Sequence, residues 1–410
     1  MKLSHGLGLL AAGLGSVGLL ALAGVGGLTA CGSSSGGSSG SSSGTSSGSG
    51  SGGGNDLCSS LPATACLPIP PAPSGAAQST IMKSHNYALH DLFLGDTDRM
   101  GVSSANAWKT IGYDLDGKVT TANSKDVCTL IAGSSKQVQA DGEKGIDNSF
   151  GSNIMPIITV LDATASSALN TAIQGGSFSI FTYVTGFDDS AGNMTTASGL
   201  SGVLLAGGKY SQDGGMPSWD LSTVWPVLPD PGLITGCVPY STTGASGCPA
   251  GTDPIKNAVI KFGSAFQTKG TFVNGTPNPL TLSLSIGGQS LSLTIASAII
   301  TFDPKAQGSV TNGTIAGVLD TMDLINGLRS VAGNISPSLC AGSAFQSIAT
   351  QIEQTSDIIL TGTTVSNTAG QPCNAISIGL GFNSIEIATP TAIAVATPPA
   401  PDKCADAGSD

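Results

Sequence analysis

Charge is scarce in this chain. Asp, Glu, Lys and Arg together make 10% of its 410 residues, where globular domains average about 25%. The apolar share, 40%, is only slightly low, so this is not the pattern of few apolar residues and high net charge that marks disorder. Basic residues are the rarer kind: 15 against 26 acidic ones leave a net charge of −11, which argues against a nucleic-acid partner. Glutamate is limited to Glu143, Glu353 and Glu386, and histidine to His5, His85 and His90. His85 and His90 stand five apart, on different faces of a helix and on opposite faces of a strand, so they form no ready metal pair. Asp91 would orient either one toward a Ser or Cys nucleophile, but nothing marks that nucleophile. The sequence holds no CxxC pair, phosphate loop, dinucleotide fingerprint or internal repeat.

The amino terminus carries more information. Lys2 precedes residues 6–30, which are uncharged and hold Leu9, Leu10, Leu14, Leu19, Leu20 and Leu22 among Gly and Ala. The stretch is long enough to span a bilayer, but its glycines weaken a helix. Leu28-Thr29-Ala30-Cys31 resembles the lipobox of bacterial lipoproteins. That resemblance implies a signal peptide over residues 1–30, cleavage before Cys31, and lipidation of Cys31 as the first mature residue. Gly32 stands where that class carries Asp for inner-membrane retention, which implies an outer-membrane address. Two or three acyl chains hold durably where one, at about 0.8 kcal/mol per buried CH2, holds only marginally. The body is then an extracytoplasmic passenger, partnered to the membrane through its lipid.

Residues 32–54 are Gly and Ser throughout except Thr45, a flexible tether with a root-mean-square span of roughly 26 Å. Its Gly44-Thr45-Ser46-Ser47-Gly48 matches a nucleophile-elbow pattern only by composition, since that motif needs a strand, a turn and a helix around it. A Pro/Ala-rich arm follows over 55–80, then a body over 81–390 and a Pro/acidic tail over 391–410. With Cys31 lipidated, Cys58, Cys66, Cys128, Cys237, Cys248, Cys340, Cys373 and Cys404 remain. An even count in an oxidising compartment reads as four disulfides, with 105 connectivities open. Cys237 with Cys248 is the clearest local pair, a short loop whose closure contributes about 3 kcal/mol in the chain-entropy model. Cys58 with Cys66 and Cys340 with Cys373 are further proposals.

The body reads as β-rich α+β, an antiparallel sheet or sandwich built on hairpins, with a few helices and disulfide staples. Leu280 to Phe302 is uncharged, yet Leu280, Leu282, Leu284 and Ile286 alternate with Thr281, Ser283 and Ser285, and Leu291, Leu293 and Ile295 alternate likewise. Period two means strand. A two-residue turn at Gly288-Gln289 would pair Ile286 with Leu291 and bury one face. Asn312-Gly313 is a second hairpin signal. Ser177–Val184 and Ala375–Ile387 read as strands. Helical spacing follows Asn153, with Pro156 allowed in the first turn, and runs on through Ala168, Leu169 and Ile173. Leu319–Val331 and Ala344–Ile352 are two shorter helices.

Acidic turns are the main chemical feature. Asp114-Leu115-Asp116-Gly117 and Asp141-Gly142-Glu143, leading to Asp147-Asn148, place Asp beside Gly, and Asp188-Asp189 with Asn193 form a third group. Such turns aim several oxygens at one hard cation, and calcium takes six to eight. The EF-hand pattern is not met, because Lys118 and Lys125 stand where acids are required. Asp114, Asp116, Asp141 and Asp147 are therefore candidates for an irregular calcium site, and ordinary turn chemistry is the alternative. Trp219 and Trp225, in a Pro/Gly-bounded loop, are candidate binding residues for a glycan or an envelope protein. Gly112–Gly151, with its GYDLDG and DGEKGIDNSFG runs, resembles uncharacterised myxobacterial secreted lipoproteins, and PCNAISIGLGF is similar in kind; this resemblance implies no activity. The expectation is an outer-membrane-anchored lipoprotein with a non-enzymatic binding or structural module. The alternative is a secreted hydrolase using Asp carboxylates, with or without calcium assistance.

Overall fold

Alternation between apolar and small residues builds the centre of this protein. The computed structural model describes residues 57–398 and 404, apart from 63, 191, 212–214, 287–288, 306–307, 336–338 and 341. The expected signal peptide, Cys31 and the expected Gly/Ser tether, together with the tail beyond 398 save Cys404, lie outside them. In chain order the strands are β1 (Ser84–Phe93), β2 (Ser179–Thr185), β3 (Ala197–Gly207), β4 (Lys261–Thr268), β5 (Thr271–Val273), β6 (Asn278–Ile286), β7 (Gln289–Lys305), β8 (Ser309–Asp320), β9 (Ile359–Thr361), β10 (Thr364–Ser366) and β11 (Ala375–Ile387). The helices are α1 (Met155–Leu161), α2 (Ala165–Gln174), α3 (Thr321–Ile335) and α4 (Gly342–Glu353).

Nine strands form one antiparallel sheet in the order β5-β4-β3-β2-β1-β11-β8-β7-β6, and β5 also pairs with β7. That last pairing, Phe272 with Phe302 and Val273 with Thr301, closes a ring and leaves β6 outside it as the partner of the other half of β7. β9 and β10 make a separate two-stranded ribbon. The fold is thus β-rich and antiparallel, as the alternation indicates. One large core joins inward side chains of the ring, such as Tyr87, Phe302 and Phe382, to the buried faces of the helices. Phe272 stacks on Phe302 at 4.6 Å between ring centroids. A second core, around Trp225, Tyr210 and Ile234, packs against Phe181 and Leu205.

Local signals explain the elements and also the departures from expectation. In the β6–β7 hairpin Ile286 pairs with Gln289, Leu284 with Leu291 and Leu282 with Leu293. The register is two residues away from the one a Gly288-Gln289 turn would set, and Gln289 is already in β7. Because the offset is even, the same side chains stay on one face, and Leu280, Leu282, Leu291, Leu293 and Ile295 are all buried. Asn312-Gly313 makes no hairpin: it is a bulge inside β8, where Thr301 pairs with Thr314 but Asp303 with Thr311. Asn312 alone of the two takes a positive φ, 52°, whereas the tight turn needs it at both. The helical run after Asn153 breaks in two. Asp162 turns extended after α1, and its Oδ1 accepts from Thr164 N at 2.9 Å, which restarts the chain into α2. The helical pattern read over Leu319–Val331 begins at Thr321 rather than Leu319, since Asp320 Oδ1 accepts from Met322 N and Asp323 N and so caps α3.

Four disulfides staple the body: Cys58–Cys66, Cys128–Cys373, Cys237–Cys248 and Cys340–Cys404. The two local expectations hold. The Cys340–Cys373 pairing does not. Cys373 sits where the strand segment before β11 runs beside Thr129, with Cys373 N donating to Thr129 O at 3.0 Å, so its neighbour is Cys128. Cys340, between α3 and α4, takes the tail instead. The arm is stapled to itself and also laid along the body, with bridges from Leu57 to Lys118, Pro68 to Asp114 and Gln78 to Ser198.

Candidate metal centre

The acidic loops lie where the sheet runs out of strand. β1 stops at Phe93, opposite Gly381 of β11, so the first half of β11 lacks a strand on that side. Side chains supply the missing partners. Asn148 Oδ1 accepts from Gly379 N at 3.0 Å, and its Nδ2 donates to Gly379 O at 3.0 Å. Asp357 Oδ1 accepts from Ser377 N at 2.9 Å and its Oδ2 from Ser377 Oγ at 2.6 Å. Only glycine fits at 379, because a Cβ there would stand 2.2 Å from Ile111 O and 2.9 Å from Gly112 Cα. The 111–148 segment is thereby pressed against β11, and its aspartates are carried inward.

Three of the four aspartates singled out by the sequence meet. One carboxylate oxygen from each of Asp114, Asp116 and Asp147 lies within 4.8 Å of the other two, the span that a cation with ligands about 2.4 Å away bridges between opposite oxygens. Asp141 stands beside them rather than among them: its carboxylate accepts from Thr120 N at 2.5 Å and Thr120 Oγ1 at 2.6 Å. Two further groups complete the cluster without any sequence signal, because they arrive from more than 200 positions away. Asp357 adds its charge to those of Asp141 and Asp147, and Asn367 Nδ2 donates to Asp116 Oδ2 at 2.7 Å. The stapled arm walls off the site, with Cys58 Sγ 2.7 Å from Asp114 Oδ2. A disulfide sulfur carries no proton, so only a protonated Asp114 donates there.

The electrostatics follow from burial. Asp114, Asp147 and Asp357 are 5%, 4% and 8% exposed. Desolvation raises all five carboxyls: Asp114 to about 6, Asp141 to about 8 and Asp357 to about 7, with Asp116 and Asp147 raised as well. Asp116's charge raises Asp114, Asp141, Asp147 and Asp357 further. Backbone donors pull the other way: Gly117 N and Lys118 N donate to Asp114 Oδ1, Lys118 N to Asp116 Oδ1, and Leu115 N to Asp147 Oδ2. Lys118 brings a buried ammonium, but it is turned toward Asp126 O, Asn367 O and, at 3.5 Å, Asp126 Oδ2. The oxygens that a cation would require are thus the same ones that accept the turn hydrogen bonds.

The third acidic group does not join this site. Asp188 binds Thr195 Oγ1 and Ser190 N of its own loop, and Asp189 faces Lys83 and His85. Trp225 is no exposed platform. It is fully buried, edge-on to Phe181 at 5.8 Å, with Nε1 donating to Gly208 O at 2.6 Å. Trp219 is half-buried, its Nε1 donating to Gln174 O and its ring meeting His90 edge-on at 4.7 Å. Both indoles close the edge of a core, the ordinary role of large aromatics in a loop. His90 Nδ1 lies 3.1 Å from Asp91 Oδ2, and Gln174 Nε2 also holds that carboxylate. No protein-family model matches the chain, no curated protein matches it, and no solved structure matches it.

Proposed function

We propose that the protein is an outer-membrane lipoprotein, anchored through diacylglyceryl-modified Cys31, whose extracytoplasmic body is a non-enzymatic binding or structural module that takes calcium at Asp114, Asp116 and Asp147, with Asp141 beside them. The observation that carries the calcium reading is the convergence of three buried and two half-buried carboxyls beside the ammonium of Lys118, which is turned toward other acceptors. A divalent cation on these oxygens offsets both the desolvation and the mutual repulsion, and ties the stapled arm, the 111–148 segment and β11 into one unit. Four disulfides support an oxidising compartment. The partner is an envelope protein or glycan, with the lipid supplying the membrane contact. The hydrolase reading draws on raised carboxyls such as those of Asp141 and Asp357, but Asp357 is buried and spends both oxygens on Ser377, which leaves it no hold on a substrate.

A thermal melt of the mature protein in EDTA and in millimolar calcium tests this. At 100 times its dissociation constant a native-state ligand adds about 2.7 kcal/mol, a rise of a few degrees for a chain of this size. The rise is expected to reverse with EDTA and to vanish in Asp114→Asn/Asp116→Asn. Equal melting temperatures with and without calcium would return the aspartates to turn chemistry.

A further inference from the structure

A second cluster of metal-ligand type stands at the start of β1. Tyr87 lies directly opposite Glu386 of β11, and His85, two residues earlier, shares that face of the strand. The loop after β2 brings in Asp189. His85 Nδ1 is 2.8 Å from Glu386 Oε1 and 3.4 Å from Asp189 Oδ2, and all three ligand atoms lie within 4.8 Å of one another. The histidine side chain is shielded completely, those of Glu386 and Asp189 are 10% and 31% exposed, so the cluster opens to solvent on the Asp189 side.

Two polar atoms here find no hydrogen-bond partner in the protein although both are buried: His85 Nε2 and the Tyr87 hydroxyl. Buried polar groups of a folded protein are nearly always satisfied, and an exception calls for an explanation. The Tyr87 ring stacks on His85 with centroids 5.6 Å apart. Burial pushes its phenol up, and the charges of Glu386 and Asp189 push it further, so the hydroxyl sits in the field of both carboxylates. The remaining charge is Lys83, whose Nζ is 3.2 Å from Asp189 Oδ2 on a side chain 60% exposed. It can swing into water when a cation replaces it.

We propose that His85, Asp189 and Glu386 are the protein ligands of a zinc-type transition-metal ion, with a coordination position left open on the solvent side, toward Asp189. Imidazole nitrogen and carboxylate oxygen are both zinc donors, and three protein ligands leave the fourth position of an open site free. Ligand atoms about 2.0–2.2 Å from zinc stand about 3.3 Å apart in a tetrahedron, and the 2.8 and 3.4 Å separations bracket that value. The nitrogen donor separates this site from the all-oxygen aspartate cluster, since imidazole suits zinc and its neighbours while carboxylates alone suit calcium. A self-contained network of Lys83, His85, Asp189 and Glu386 is the competing account, and it has no affinity for metal.

The mature full-length protein in detergent, stripped with EDTA and dialysed, is titrated with zinc and, as a spectroscopic probe, with cobalt(II). One zinc per chain with a dissociation constant in the micromolar range or tighter is expected, with a visible cobalt band of tetrahedral intensity. Asp189→Asn changes a part-exposed side chain and is expected to weaken zinc at least tenfold while melting within a few degrees of the parent. His85→Gln removes the nitrogen donor and is read only where it folds. Asp114→Asn/Asp116→Asn is expected to leave zinc binding untouched while removing the calcium response, so the two sites fail separately. A parent protein that retains no zinc at micromolar free metal, or an Asp189→Asn protein that binds it equally well, overturns the proposal.

Discussion

Carboxyl groups that fold above their ordinary range give the protein a distinctive dependence on pH. Asp114, Asp141 and Asp357 titrate at about 6, 8 and 7 in the folded state, above the value near 3.9 of an unfolded aspartate. Between about pH 4 and pH 8 the folded chain therefore holds more protons than the unfolded one, and stability falls as pH rises through that window. In EDTA the melting temperature is expected to be several degrees higher at pH 5 than at pH 8. Calcium requires the ionised form, so its stabilising effect is expected to grow over the same interval. A flat profile in EDTA, recorded by circular dichroism across pH 4 to 8, would contradict the assignment of these shifts. At this scale the sequence was informative about Asp114, Asp116 and Asp147, because the runs Asp114-Leu115-Asp116-Gly117 and Asp147-Asn148 announce oxygens gathered at turns. Asp357 and Asn367 carried no such mark: their role arises from chain crossings that local pattern does not encode. Trp225 illustrates the converse, since flanking Gly and Pro signal a loop without saying whether its indole faces water.

At the scale of elements, the long-range staple outweighs the short one. Cys128–Cys373 encloses a separation of 245 residues and Cys237–Cys248 one of 11. The chain-entropy model assigns about 5.5 kcal/mol to the former and about 2.8 kcal/mol to the latter. Cys128→Ala/Cys373→Ala is expected to lower the urea midpoint more than Cys237→Ala/Cys248→Ala does, by the equivalent of about 3 kcal/mol. Equal losses would mean that residual structure in the unfolded chain already holds 128 near 373. Strands were the most legible elements. The β11 alternation of Ile376, Ile378, Leu380 and Phe382 with Ser377, Gly379 and Gly381 encodes both a core face and the small residues against which the acidic segment packs. Turn chemistry was less reliable. Asn312-Gly313 became a bulge, because the paired neighbours on both sides, β7 and β11, kept the strand going through it.

At the scale of the whole molecule the expected attachment is covalent lipid at Cys31. Mature protein is expected to partition with membranes and to carry a diacylglyceryl mass on its first residue, whereas Cys31→Ser is expected to lack that mass and to keep the signal peptide. An unmodified wild-type chain beginning at Met1 would remove the localisation reading. Ring closure was the feature least visible in advance. Nothing in the short β5, Thr271–Val273, distinguishes it from an ordinary hairpin strand, yet its second pairing converts a sheet into a barrel.

The place of β11 has a consequence for the order in which the chain folds. It is the last strand made and it lies between β1 and β8, so no amino-terminal portion can complete the ring by itself. Contacts such as Asn86 to Ile387 span almost the whole body, and pairings of that separation form slowly because the loop must close before the contact is gained. Closure of the ring is thus expected late in folding, once residue 387 is available, while local pairings such as the β6–β7 hairpin need no part of β11. If the chain is exported as proposed, a ring that waits for its last strand keeps the polypeptide threadable for as long as threading takes.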